Sequence, residues 1–330
     1  MGNLRLTFAC GPFDRTQALR DGTIKPEGID LVYLSLQPAE IFWRMLQFEE
    51  FHMSEMSLAN YAMLVAQGNA PYVAIPAFPS RVFRHGYFFI NTTKGIEKPA
   101  DLIGKRGGVP EYSQTASVYM RGLLQHEYGV HPSRIEWVQG RPDRIKHGLP
   151  PDVRLTQAPP GTELGDLLER GELDFLMTAN NPLSFRRGAP TVARLFPNYE
   201  ELEQDYYRRT KIYPIMHTVV IRRDVFARDP WVAVSMYKAL CQAKAYAYRW
   251  IAEGGSAKVS LAWLQPLIEK EQAIFGRDWY PYGIEQNRPT LEALLQYLHE
   301  QGLAGRRVAV EELFAPSTVH DVPLSEGQLV

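Results

Sequence analysis

Cysteine is scarce in this chain: Cys10 and Cys241 are the two present among 330 residues, and they lie far apart. A disulfide framework or a thiolate zinc site needs several cysteines at close spacing, so both are excluded, and a reducing, cytoplasmic setting is expected. No stretch approaches the roughly 18 consecutive apolar residues of a spanning helix. The few residues ahead of Cys10 include Arg5 and cannot form the apolar core of an export signal, so no exported form is expected. Neither sign of charge predominates: 36 Lys and Arg against 37 Asp and Glu leave a net charge of −1. That balance carries no footprint for nucleic acid or an acidic membrane, and the expected partner is a small molecule, with a homo-oligomer left open. A Ser-His-Asp order, an HExxH pair, a Cys/His cluster and the glycine spacing of nucleotide loops are all missing. No cofactor is required by the sequence, although two histidines and a carboxylate could still converge on a divalent metal.

What is present is an alternation of strand and helix patterns. Leu4, Leu6 and Phe8 alternate as in a half-buried strand; Gly11 and Pro12 end it, and Asp14 with Gln17 reads as a capping box. Strands follow at 29–36, 53–56 and 72–77, with helices at 38–50 and 57–67. The alternation restarts with strands at 87–91, 106–109, 135–139 and 175–178 and a long helix at about 113–128. The Pro- and Gly-rich stretch 140–161 reads as loop or irregular hairpin. Helices are expected at 230–251, 259–275 and 289–301. Hydrophobic residues make up 45% of the chain, enough for two modest cores.

The segment PAFPSRVFRHG and the break at Tyr213–Met216 both interrupt the pattern. Two interruptions around a self-contained α/β stretch predict two lobes, each with a central sheet: residues 1–85 with 216–330, and an inserted 86–215. Two crossovers would join them, and the C-terminal region would be helical. Ligands of such sheets bind at the carboxyl ends of strands and the helix starts that follow. The polar clusters fall there. Arg15 sits at the first strand-to-helix corner. Arg81, Arg84 and His85 occupy the first crossover, where guanidinium groups suit carboxylates and a histidine can move a proton near neutrality. His217 opens the strand after the second crossover. Glu55 and Ser57 mark another strand-to-helix corner; Ser113, Gln114 and Thr115 precede the long helix, with Glu111 just before them; Asn180 and Asn181 follow the strand at 175–178. Proton transfer is expected of His85, His217 and Glu55, with Glu111 as a fallback, and substrate contact of Arg15, Arg81, Arg84, Ser57, Ser113, Gln114, Thr115, Asn180 and Asn181. The aromatic run DWYPYGIEQNR could cover an aromatic ligand.

The motifs LxxACGxxDRTxAL and KPEGIDL at residues 6–31, EMSLANY at 55–61, IPAFPSRVFRH at 75–85, GVPEYSQTASVYMRGLL at 108–124, GELDFLMTANNP at 171–182 and DWYPYGIEQNRPTLE at 278–292 span nearly the whole chain. In these it resembles the bacterial 4,5-dihydroxyphthalate decarboxylases, which are built on the type II periplasmic-binding-protein fold. The resemblance implies loss of one carboxylate from an aromatic dicarboxylate, giving protocatechuate and carbon dioxide. A solute-binding receptor for an aromatic carboxylate, or another small-molecule lyase on the same scaffold, is the alternative that fold alone allows.

Overall fold

The computed structural model describes residues 2–252 and 259–320. Its elements are β1 (Leu4–Cys10), α1 (Asp14–Arg20), β2 (Ile29–Ser35), α2 (Pro38–Phe48), β3 (Met53–Ser57), α3 (Leu58–Ala66) and β4 (Tyr72–Arg81). They continue with β5 (Phe88–Asn91), β6 (Arg106–Val109), α4 (Thr115–Tyr128), β7 (Glu136–Gln139), β8 (Arg154–Gln157), α5 (Leu164–Glu169), β9 (Phe175–Met177), α6 (Leu183–Arg186), β10 (Val192–Arg194) and α7 (Tyr199–Thr210). The chain closes with β11 (Ile215–Arg222), α8 (Arg223–Arg228), α9 (Trp231–Ala252), α10 (Leu264–Phe275) and α11 (Arg288–Glu300).

Two sheets result, in an α/β arrangement with a helical C-terminal region. The first has the order β2-β1-β3-β11-β4 and the second β10-β5-β9-β6-β7-β8. Both are mixed. β1 runs parallel to β2 and β3, whereas β11 returns antiparallel between β3 and β4. This places His217 opposite Ser57, so one chain reversal brings the second interruption of the sequence to the end of β3.

β4 is longer than its prolines suggest, running through Pro76 and Pro79 to Arg81. It is an edge strand with irregular register against β11, and an edge tolerates residues that cannot donate to a ladder. Its outward carbonyls are then free for other segments: Pro76 O accepts Gly283 N–H, and Ala74 O accepts Ala315 N–H. β8 lies inside the stretch expected to be loop, where parallel pairing with β7 holds a short exposed strand. β10 and α7 carried no clear periodic signal. α10 begins at Leu264, five residues later than expected.

One continuous apolar core contains Phe8, Met53 and Phe78 around the first sheet and also Trp137, Phe175 and Leu294; a smaller one gathers Phe89, Leu164, Leu168 and Leu176 against the second sheet. α4 and α11 approach so closely that a Cβ built on Gly122 would lie 2.2 Å from the Tyr297 ring. That contact is fixed by polar bonds: Arg121 Nε donates to Gln301 Oε1 (2.9 Å), and Tyr119 Oη donates to Thr290 O (2.9 Å). No helix among the described residues is long and apolar enough to cross a membrane.

Candidate functional site

α3 and α4 begin against one another. Ser57 caps α3, accepting from Asn60 N–H, and its Oγ lies 2.9 Å from Thr115 Oγ1 in the first turn of α4. Thr115 Oγ1 also accepts Ala59 N–H (3.1 Å). Two helix starts, one after a strand of each sheet, therefore share a pair of hydroxyls, with first-turn amides that have no acceptor within their own helices. Ser113 does not cap α4. Its N–H and Oγ–H both go to Asp143 Oδ1 (2.7 and 2.8 Å), and the capping position falls to Gln114, whose Oε1 is buried without a partner.

Beside Ser57, the same face of the sheet carries Glu55 and His217. Glu55 is wholly buried; its Oε2 is 3.8 Å from His217 Nδ1 and accepts from Cys10 Sγ at 3.5 Å, while its Oε1 has no partner among the described residues. His217 packs edge-on against Phe42. Burial, reinforced by the neighbouring Glu55, pushes the Cys10 thiol well above its ordinary pKa, so it stays a donor.

Arg15 follows the first residue of α1. The cap of that helix is Phe13, without a side-chain bond, and Asp14 instead receives the Arg15 guanidinium at 2.9 Å, so the expected capping box does not form. The rest of the Arg15 fork reaches Pro79 O, and its plane lies between the Phe13 and Tyr280 rings, each 4.4 Å away. Arg81 continues the stack on the Tyr213 ring at 4.3 Å and donates to Pro281 O (2.9 Å) and Tyr213 O (2.8 Å), leaving Nε free. The aromatic run expected to cover a ligand thus supplies Tyr280 as the plate between two guanidiniums.

Arg84 and His85 sit apart from this group, with Phe83, Tyr119, Leu123, Tyr206 and Pro214 around a small cavity. Burial lowers Arg84 to a pKa of about 10 and His85 to about 4. The His85 ring is boxed by Tyr128, Phe196 and Tyr206, with Glu203 Oε1 3.9 Å from Nδ1. Burial raises Glu203 to about 7, despite its acceptance of Gly86 N–H. Neither Arg81 nor Arg84 has a carboxylate within ion-pair distance among the described residues. Asn180 and Asn181 are exposed, and Asn181 Oδ1 accepts from Arg194.

The structure therefore joins Glu55, Ser57, His217 and Thr115 in one group and links Arg15 to Arg81 through Tyr280. It sets Arg84 with His85 elsewhere. Sequence reasoning missed Cys10 as a partner of Glu55, and missed Asp143 and His147, though the charge-rich RPDRIKH directly after β7 marked the spot. Glu111 is buried and bound by Arg141 (2.5 Å) and Arg144 (3.3 Å) of that same loop. No group of three or more His, Cys, Asp or Glu among the described residues is arranged to hold a metal ion.

No family model matches the chain. Two curated relatives do. The 4,5-dihydroxyphthalate decarboxylase of Comamonas testosteroni is 37% identical over 325 residues, 97% of this chain and 98% of the relative. The enzyme of the same name from Pseudomonas putida is 38% identical over 214 residues, 63% of this chain and 83% of the relative. Among solved structures, the periplasmic sulfonate-binding protein SsuA of Methylobacillus flagellatus superposes with a TM-score of 0.55 at 13% identity, covering 97% of this chain and 94% of that one. The alkanesulfonate-binding SsuA of Xanthomonas axonopodis gives 0.52 at 12% identity, covering 96% and 98%. These likenesses establish the periplasmic-binding-protein-like fold.

Proposed function

The chain belongs to the 4,5-dihydroxyphthalate decarboxylase family, and from that premise we propose that it is a carboxy-lyase working where the starts of α3 and α4 meet. It removes one carboxylate from 4,5-dihydroxyphthalate or a closely related aromatic dicarboxylate, giving protocatechuate and carbon dioxide. The observation that carries the placement is the contact of Ser57 with Thr115 beside the Glu55–His217 pair.

The chemistry sets what the site must do. Each ring hydroxyl is para to one carboxylate, so its deprotonation raises electron density at the carbon bearing that group. That carbon takes a proton; the bond to the carboxylate then breaks, carbon dioxide leaves, and the bonding pair restores the aromatic ring. One proton is consumed per turnover. His217 and Glu55 are the pair placed to exchange it, a task worth about 10²–10⁴-fold in rate. Ser57, Gln114, Thr115 and the first-turn amides of α4 seat a carboxylate, while Ser113, its hydrogens held by Asp143, fixes the loop ahead of α4. Arg15 and Arg81, linked through Tyr280, supply positive charge for recognition, and Arg84 lies apart from them beside His85. His85 carries the alternative proton-transfer assignment, and Asn180 and Asn181 are peripheral contacts.

The two sheets support a division into lobes 1–85 with 216–330 and 86–215. The free, buried cysteines support a reducing, cytoplasmic location. The test is incubation of the purified protein with 4,5-dihydroxyphthalate, following protocatechuate by chromatography and ligand binding by calorimetry. Protocatechuate formation that falls in Thr115→Val supports the reading. Tight binding without product would make the protein a receptor.

A further inference from the structure

Glu55 is the buried carboxyl of the proposed proton-transfer pair, and its orientation decides which oxygen is left for the substrate. A wholly buried carboxylate adopts whatever orientation its bonds dictate, and both named contacts of Glu55 fall on one oxygen, Oε2: Cys10 Sγ at 3.5 Å and His217 Nδ1 at 3.8 Å. Oε1 is left without a partner among the described residues, an arrangement that costs free energy in a finished interior and marks a group awaiting one. We propose that Cys10 is a positioning residue: its thiol donates to Glu55 Oε2 and turns the carboxylate so that Oε1 is kept for the proton exchanged with substrate.

The surroundings agree. Cys10 is the last residue of β1, with no exposed surface, so its side chain stays among buried partners. From β2, Tyr33 gives its hydroxyl to Gly11 O (2.8 Å) and Thr16 Oγ1 (3.0 Å) and closes the far side. Arg15 of α1 and Tyr282, ahead of α11, are the remaining charged or titratable groups acting on the thiol, and His217 of β11 completes the ring around Glu55. With its proton held by burial, the thiol orients the carboxylate without titrating in the working range. Serine preserves such a donor and alanine removes it.

This inference rests on the decarboxylase reading for its kinetic arm, and a spectroscopic arm stands apart from turnover. In the infrared spectrum of the free protein, the S–H stretching band lost in Cys10→Ala should move to higher frequency in Glu55→Gln, as a carboxylate acceptor becomes a weaker amide. With substrate, Cys10→Ala should lower kcat about 10-fold at unchanged KM and displace the pH profile of kcat, whereas Cys10→Ser should restore both. A band unmoved by Glu55→Gln, or Cys10→Ala with wild-type kcat and pH profile, would overturn the proposal. Thermal unfolding of each variant separates lost folding from lost positioning. Absence of protocatechuate from wild-type protein would refute the decarboxylase reading instead, and leaves the infrared result to decide the Cys10–Glu55 bond.

Discussion

His147 Nε2 stands 2.8 Å from Asp143 Oδ2, and the other oxygen of that carboxylate takes both hydrogens of Ser113 just ahead of α4. His147 Nδ1 also lies 2.8 Å from Gly148 O, so a ring that donates from both nitrogens is the charged one. Burial opposes that charge, but the bonds to Asp143 and Gly148 outweigh it and raise the His147 pKa. Burial likewise opposes ionisation of Asp143, and its bonds to His147 and Ser113 lower its pKa.

The signs of these shifts set a pH window. The histidine contributes stability that is complete below its ordinary value near 6.5 and is lost as pH rises through the raised one. The aspartate contributes stability present above its ordinary value of 3.8 and lost as pH falls through the lowered one. Between those limits both contributions are complete. Thermal unfolding followed from pH 5 to 8.5 should show the Tm advantage of wild type over His147→Gln shrinking toward the alkaline end. A constant difference across that range would assign His147 a packing role alone.

Replacing Thr115 by valine removes the hydroxyl shared with Ser57 and leaves the Ala59 N–H unpaired. The expected loss is about 1–3 kcal/mol of stability together with a raised KM. Urea unfolding and steady-state kinetics measure the two effects, and an unchanged KM would move substrate recognition away from the start of α4.

The two candidate histidines should separate. His217→Gln should bind the diacid nearly as well as wild type but turn over about 10²–10⁴-fold more slowly, since the loss falls on proton transfer. His85→Gln, altering a ring enclosed by Tyr128, Phe196 and Tyr206, should act mainly on stability. Full turnover in His217→Gln with loss in His85→Gln would reverse the assignment.

Gly122→Ala tests the junction of α4 with α11. The added methyl would fall 2.2 Å from the Tyr297 ring, so the helices must separate or the ring must leave its place, an overpacking cost of about 1–3 kcal/mol. That outweighs the better helix propensity of alanine. Denaturant unfolding should show a lower midpoint, and an unchanged one would mean the ring moves freely.

How much of this was legible in the sequence varies with the kind of signal. β1, α2 and α4 carried clear periodicity, and the interruptions at 76–86 and 213–216 marked the neighbourhood where β4 ends and β11 begins. β8 and β10 were hidden because neither is a buried apolar run: β8 is mostly exposed, and β10 has one buried residue, Val192. The corner residues Glu55, Ser57 and Thr115 could be named from their positions at strand and helix ends. Their meeting could not: Ser57 reaches Thr115 where helix starts after strands of different sheets abut, and His217 joins them only through the antiparallel return of β11. Arg81 looked like a carboxylate ligand, and no pattern could disclose that its fork is spent on the carbonyls of Tyr213 and Pro281. Cys10 read as packing because a single small residue at a strand end usually is.

Arg81 and Arg84 are bound to main-chain oxygens and flat rings, and these leave their charge intact. The net charge is −1, so the molecule as a whole offers a distant anion little attraction, while Arg81 and Arg84 hold enclosed positive charge. Mobile salt ions, which act over roughly 10 Å at 0.1 M, screen such enclosed charge far less than charge at the surface. On the decarboxylase reading proposed above, selection among anions then falls to the moment of entry, and a ring with two carboxylates is held better than a ring with one.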